Sequence, residues 1–158
     1  MSVVEIPDGA GNNIRLVEFD GKLYPNFPIE SITNLKSLKL REEDVIISAY
    51  PKSGTHWLFE ICRMLLEGRL DVEVISKIDL MIELVGQEVL DEIKSPRVLN
   101  SHVVFSDLPT DLAVKKPKII YIRRNPKDVA VSFYNHSRKM TQFYNYKGEE
   151  FKDYLELF

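Results

Sequence analysis

Apolar positions along the chain follow two different spacings. Val45, Ile46 and Ile47 form an unbroken β-branched run that Ala49 and Tyr50 extend. A run without polar alternation suits a strand covered on both faces, as in a parallel α/β sheet. Pro51 lacks an N–H and closes that strand. Gly54 lets the backbone turn, and Trp57, Leu58, Ile61, Met64 and Leu65 then recur at helical spacing up to a stop at Gly68. Residues 45 to 67 therefore predict strand, tight loop and helix. The run KIIYIR at residues 118 to 123 predicts a second buried strand. Asn125 as cap, Pro126 at the first helical position and Asp128 in the first turn then start a helix to about residue 140. RVLNS, residues 97 to 101, predicts a short strand ending at His102. Val74, Ile78, Met81, Ile82 and Val85 share one face of a helix predicted over residues 72 to 85.

The flanks are weaker in pattern. Residues 1 to 13 read as a flexible arm, rich in Gly and Asn. RLVEF and KLY flank Asp20-Gly21, a hairpin signal, because this dipeptide tolerates positive φ. Residues 29 to 38 predict a short helix, REED at 41 to 44 a solvated turn, VVFSDLP a loop and DLAVKKP a polar connector. Phe151, Tyr154, Leu155 and Phe158 fall at i, i+3, i+4 and i+7. With about three core strands in view, fewer than such sheets usually have, the expectation is an α/β fold incomplete at its C-terminus. Residues 14 to 158 would be the N-terminal part of a larger domain, or a domain that a partner completes.

Composition narrows the function classes. The 158 residues carry a net charge of −3, which argues against a general nucleic-acid binder. Cys62 is the single cysteine, so neither a disulfide framework nor a cysteine zinc cluster is available. Inside a helix it reads as a small buried hydrophobe. The opening residues lack a secretory pattern, and no apolar run approaches the ~20 residues that span a bilayer. The expectation is a soluble protein of the reducing cytoplasm without membrane partners.

Three places carry candidate chemistry. The loop after Tyr50 aims the amides of a helix N-terminus at one point, with Lys52, Ser53 and Thr55 beside it. Amides, helix dipole, ammonium and hydroxyls make a site for a phosphate-like anion. It is not a Walker A loop, because Lys52 precedes Gly54, the only glycine there; with no acidic metal-binding motif evident, this counts against a P-loop kinase. Arg124 ends a strand where ligands bind in α/β sheets, and Ser132 follows on the next helix. The two could grip a second phosphate, or Arg124 could be a surface residue pairing with Asp128. Of His56, His102 and His136, His102 stands at a strand end on the same rim. It is either a structural histidine or a general base.

These segments also carry a resemblance. YPKSGTHW, residues 50 to 57, resembles the YPKSGTTW signature of the cytosolic sulfotransferases. RRNPKDVAVSFYNH, residues 123 to 136, resembles that family's second nucleotide motif. VLNSHVVFSDLP, residues 98 to 109, resembles the segment with its catalytic histidine, usually K-T-H. The order is the family's, and residues from about 14 onward resemble its N-terminal half. The resemblance implies a P-loop-like sheet flanked by helices and a sulfuryl donor, 3′-phosphoadenosine 5′-phosphosulfate (PAPS). It implies that Lys52, Ser53, Gly54, Thr55 and His56 hold the 5′-phosphosulfate, that Trp57 seats the adenine, and that Arg124 and Ser132 bind the 3′-phosphate. His102 would take the acceptor's proton and Lys52 would stabilise the leaving phosphate, with no metal. Acceptors would be phenols, alcohols, steroids or amines, and a full-length form would be a homodimer. Three departures stand out: His56 replaces a threonine, Asn100 replaces the lysine two positions before the histidine, and R-K-G-x-x-G is absent. They motivate an alternative of a different class, a non-catalytic nucleotide-binding or interaction fragment of the same fold.

Overall fold

The computed structural model describes residues 2–158. In chain order the first elements are strands β1 (Ser2–Pro7), β2 (Asn13–Phe19) and β3 (Lys22–Tyr24), helix α1 (Ile29–Asn34), strand β4 (Val45–Ala49) and helix α2 (Thr55–Glu67). Helix α3 (Gln87–Glu92), strand β5 (Val98–Ser101), helix α4 (Leu112–Lys115), strand β6 (Lys118–Ile122) and helices α5 (Pro126–Lys139), α6 (Thr141–Tyr144) and α7 (Phe151–Tyr154) follow. They belong to two compact units. One is Pro28–Arg123; the other joins the chain through Phe27 to Arg124–Phe158.

The Pro28–Arg123 unit is a parallel sheet in the order β5-β4-β6. Its register sets Val45 opposite Val98 and Lys118, and Ser48 opposite Ser101 and Tyr121. Every residue of β4 and of β5 is buried, as the unbroken apolar run requires. Ile46, Ile47, Leu99, Phe59, Ile82 and Leu90 are its fully buried apolar centre. At the foot of the strands a charged pair is also fully buried. Arg97 donates from Nε to Asp44 Oδ1 at 2.8 Å and from Nη2 to Asp44 Oδ2 at 2.6 Å, and from Nη1 to Leu90 O at 2.7 Å. The same two residues tie the strands through their backbones: Val45 N donates to Arg97 O and Lys118 N to Asp44 O. The REED segment is therefore not wholly solvated, since Asp44 is part of the core.

Four further expectations are corrected here. Strand β6 is a sheet edge with Ile119 and Tyr121 exposed, so it is not the buried strand its composition predicted. The buried side of α2 is Thr55, Phe59, Cys62 and Arg63, while Trp57 and Leu65 face outward. The apolar stripe read from Trp57 and Leu65 is thus offset from the face that packs. Residues 72 to 85 are not a helix. Lys77–Leu80 is one 3-10 turn, and Met81 pairs with Asn100 as a parallel bridge on the outer edge of β5. The reason is competition for carbonyls. Asn100 Nδ2 donates to Lys77 O at 2.7 Å and Leu80 O at 3.0 Å, and Ile82 N donates to Asn100 O at 3.1 Å. A helix would need those groups for its own ladder.

The fourth concerns the other unit, where residues 2–7 are a strand and no loose arm. It pairs antiparallel with β2 from Ser2 opposite Glu18 to Pro7 opposite Asn13. The Gly- and Asn-rich stretch is a tight turn, closed by Asp8 Oδ1 accepting from Ala10 N at 2.9 Å and Asn12 N at 2.8 Å. Met1 lies outside the described residues. The Asp20-Gly21 hairpin forms as expected, with both residues at positive φ. Helix α5 starts as read, Asn125 Oδ1 accepting from Lys127 N at 3.0 Å. Ile14 packs with Tyr134, Tyr144, Tyr146 and Tyr154, and Tyr146 donates its hydroxyl to Asp8 Oδ2 at 2.7 Å. The final apolar segment is the single turn α7 and a 3-10 turn, and Tyr154 is its buried anchor.

Arg97→Met leaves Asp44 as an uncompensated buried charge. We expect a loss of roughly 3–5 kcal/mol, because the desolvation of the remaining carboxylate is no longer offset. A urea titration followed by circular dichroism measures it. A loss under about 1 kcal/mol would show that water reaches the carboxylate.

Candidate active site

The loop between β4 and α2 owes its shape to two left-handed residues. Lys52 has φ 68° and Gly54 φ 108°. A Cβ on Gly54 would meet nothing within 4 Å, so backbone conformation and not space selects glycine there. Positive φ at lysine is less common, and it was not foreseen from sequence. Gly54 is the cap of α2, which lacks a side-chain cap. Its first-turn amides thus have no side chain to satisfy them and aim outward with the positive end of the dipole. Ser53 and Thr55 are buried, while His56 and Trp57 are exposed. Partial desolvation of its ring, helped by the charges of Lys77 and Lys52, holds His56 below its ordinary pKa.

His102 follows β5 directly. Its Nδ1 lies 2.8 Å from Ala49 O, the last carbonyl of β4. A carbonyl only accepts, so Nδ1 carries the proton and Nε2 is the basic nitrogen. That nitrogen is met by Lys77 Nζ at 3.2 Å, and Lys77 Nζ also donates to Asn100 Oδ1 at 3.1 Å. The backbone N–H of His102 donates to Glu83 Oε1, while Glu83 Oε2 has no hydrogen-bond partner. Asn100 and Glu83 are completely or almost completely buried, and Lys77 is 5% exposed.

The electrostatics follow from that burial. Desolvation pushes the Glu83 carboxyl up to about 7, against hydrogen bonds from the His102 amide and Ser101 that favour its charge. Desolvation pulls Lys77 down to about 8; Glu83 opposes this and the neighbouring Lys52 ammonium adds to it. Lys52, Lys77, His56 and His102 are therefore one basic cluster at the carboxyl end of the parallel sheet.

Sequence reasoning brought the loop and His102 to this rim. It missed Lys77 and Glu83, which lay inside a predicted helix with no motif to mark them. Asn100 read as a missing lysine; in the structure its carboxamide organises the segment that carries Lys77. Arg124 and Ser132 belong to the other unit, Arg124 exposed at its start and Ser132 half-buried on α5.

The sulfotransferase domain family matches residues 42–158. The chain belongs to the sulfotransferase family. Human sulfotransferase 4A1 is 33% identical over 154 residues, which cover 93% of this chain and 54% of that protein. Human sulfotransferase 2A1 is 34% identical over 149 residues, covering 89% and 51%. Among solved structures, mouse sulfotransferase SULT7A1 complexed with PAP superposes with TM-score 0.72 at 33% identity, covering 90% of this chain and 50% of that one. An Arabidopsis thaliana steroid sulphotransferase described as putative superposes with TM-score 0.70 at 26% identity, covering 91% and 54%. This sulfotransferase chain thus spans about half the length of the curated relatives it matches. Its parallel α/β fold is the family's. No helix among the described residues is long and apolar enough to cross a membrane.

The Glu83 shift gives a signed prediction. Its ordinary value is 4.5 and its folded value about 7, so the folded chain prefers the neutral acid. That contribution is full below 4.5 and is lost as pH rises through about 7. Lys77 works in the other direction: its contribution is present above 10.5 and is lost as pH falls through about 8. Glu83→Gln keeps an oxygen for the His102 amide and removes the titration. Thermal melts should therefore show the variant gaining on the parent from pH 5 to pH 8. A difference that stays constant over that range would refute the assignment.

Proposed function

We propose that this chain carries the donor-binding and proton-accepting parts of a PAPS-dependent sulfotransferase acting on a small hydroxyl or amine acceptor. The observation behind the reading is a basic cluster that joins a helix N-terminus to a histidine with a defined basic nitrogen. Like charges gathered at one rim of a chain of net charge −3 are relieved by an anion. A phosphosulfate is such an anion, and PAP is bound in the similar mouse SULT7A1 structure.

Each residue then has a task. The first amides of α2, with Ser53, Thr55 and His56, hold the 5′-phosphosulfate, and Gly54 gives the loop its turn. Trp57, exposed beside the loop, offers a face for adenine. Arg124 and Ser132 are assigned to the 3′-phosphate by the resemblance of residues 123 to 136. The acceptor oxygen attacks sulfur in line. A new O–S bond forms, the S–O bond to the 5′-phosphate breaks, and its electron pair stays on the phosphate oxygen. Lys52 stabilises that oxygen. The acceptor's proton passes to Nε2 of His102. Phenols, alcohols, steroids and amines are the acceptor classes, and the soluble cytoplasm is the compartment this chemistry fits. A homodimer of a full-length form remains part of the same reading.

A second reading is binding without turnover. One observation favours it: Nε2 of His102 already accepts from Lys77. Calorimetry with adenosine 3′,5′-bisphosphate, together with labelled PAPS and a panel of phenols, steroids and amines, separates the two. Binding with transfer supports the first reading, and binding alone supports the second. Neither binding nor transfer would end both. Lys52→Met should weaken bisphosphate binding by about 10–100-fold, the value of one charge-assisted contact. An unchanged dissociation constant would remove Lys52 from the site.

A further inference from the structure

Lys77 is a buried ammonium with an unusual set of partners. Its Nζ has three N–H groups, and two are used, on Asn100 Oδ1 and His102 Nε2. Among the described residues no carboxylate lies within ion-pair distance of it: Glu83 attracts it from further off, and Lys52 repels it. Buried ammonium groups are normally paired. A structural lysine in this position would be better replaced by an apolar side chain, since methionine would fill the space without desolvation cost.

The contact with His102 adds a chemical constraint. Nε2 has one in-plane lone pair. While Lys77 donates to it, it cannot take a proton from an acceptor. Either His102 is not a base, or Lys77 lets go when the reaction begins. The ammonium needs a new acceptor when it lets go, and the third N–H already lacks one. A sulfuryl group delivered beside His102 brings three acceptor oxygens and negative charge.

We propose that Lys77 is the second catalytic cation of this site: at rest it caps Nε2 of His102, and on arrival of the phosphosulfate it moves its N–H to a sulfuryl oxygen, uncovering the base. The proposal rests on the reading of His102 as base and PAPS as donor. Lys77 stays protonated throughout. The acceptor's proton goes to His102, the new O–S bond forms, the S–O bond to phosphate breaks, and the bisphosphate leaves with that electron pair. Lys77 balances charge on the transferring group, and Lys52 balances it on the leaving oxygen. The cation comes from the 3-10 turn at residues 77–80 and not from the strand that leads to His102. The base is thus exposed only when the donor is in place, which protects the site from idle protonation.

The test compares the parent chain with Lys77→Met. Adenosine 3′,5′-bisphosphate has no sulfuryl group, so its dissociation constant by calorimetry should agree between the two within about threefold. Transfer from saturating PAPS to a phenol should fall by about 10²–10³-fold in K77M, as for loss of one transition-state donor. Thermal melts establish that the variant is folded. A second readout needs no turnover. With bisphosphate saturating, inorganic sulfate should shift the His102 imidazole resonances in the parent, because the cap moves to the sulfate, and should not do so in K77M. Parental turnover in K77M, or identical imidazole responses in both proteins, overturns the role of Lys77 while leaving the sulfotransferase reading intact. A parent that neither binds bisphosphate nor transfers overturns that reading, and this proposal with it.

Discussion

The carboxamide of Asn100 fixes the chemistry of the parallel unit. It is completely buried and uses both ends. Its N–H groups hold the carbonyls of Lys77 and Leu80, and its oxygen holds the Lys77 ammonium. This holds residues 77–80 in a single 3-10 turn, with Met81 bridged to β5, and stops them from coiling into a longer helix. Two consequences follow from the one contact. Lys77 is delivered to Nε2 of His102, and Glu83 is delivered to the His102 amide. A lysine in place of Asn100 would set two ammonium groups side by side and release the turn. Within this chain, asparagine at 100 and lysine at 77 form one arrangement.

What was legible in the sequence was whatever depends on local rules. The β4 run, the Asn125 cap, the Asp20-Gly21 turn and the loop with Gly54 are set by β-branching, capping geometry and positive φ, which neighbouring residues determine. The structure kept them. What was illegible depends on partners distant in the chain. Val74, Ile78, Met81, Ile82 and Val85 have helical spacing, but the decision belonged to Asn100, about twenty residues away. Asp44 sat in a charged turn, and only Arg97 across the sheet shows that it is buried. Tyr121 and Ile119 are as apolar as the residues of β4. They lie on the face of β6 that nothing in the core covers, while Ile120 and Ile122 on its other face pack inward. Val3, Val4 and Ile6 were overlooked because the Gly- and Asn-rich turn after them read as looseness, when it is the turn that pairs them with β2.

The candidate site divides along the same line. Lys52, Ser53, Gly54, Thr55 and His102 could be found because a motif places them on a strand end or a helix start. Lys77 and Glu83 could not, because neither has a local signature. Their sign is physical: a carboxyl and an amine removed from water without an ion pair, each shifted toward its neutral form. Such groups are costly to keep, and stability alone does not favour them.

The charges at the rim also give the unit its polarity. At the foot of the sheet Arg97 and Asp44 cancel in a bidentate pair, so that end is electrically closed. At the carboxyl end Lys52, Lys77 and His56 repel one another, and the dipole of α2 adds to the same sign. An anion there lowers the energy of every group in the cluster at once. It screens Lys52 from Lys77, accepts from the amides of α2 and offers the third N–H of Lys77 a partner. Under the proposed role of Lys77, binding of an anion and preparation of His102 are the same event, because the ammonium that turns to the anion is the one that covers Nε2 at rest.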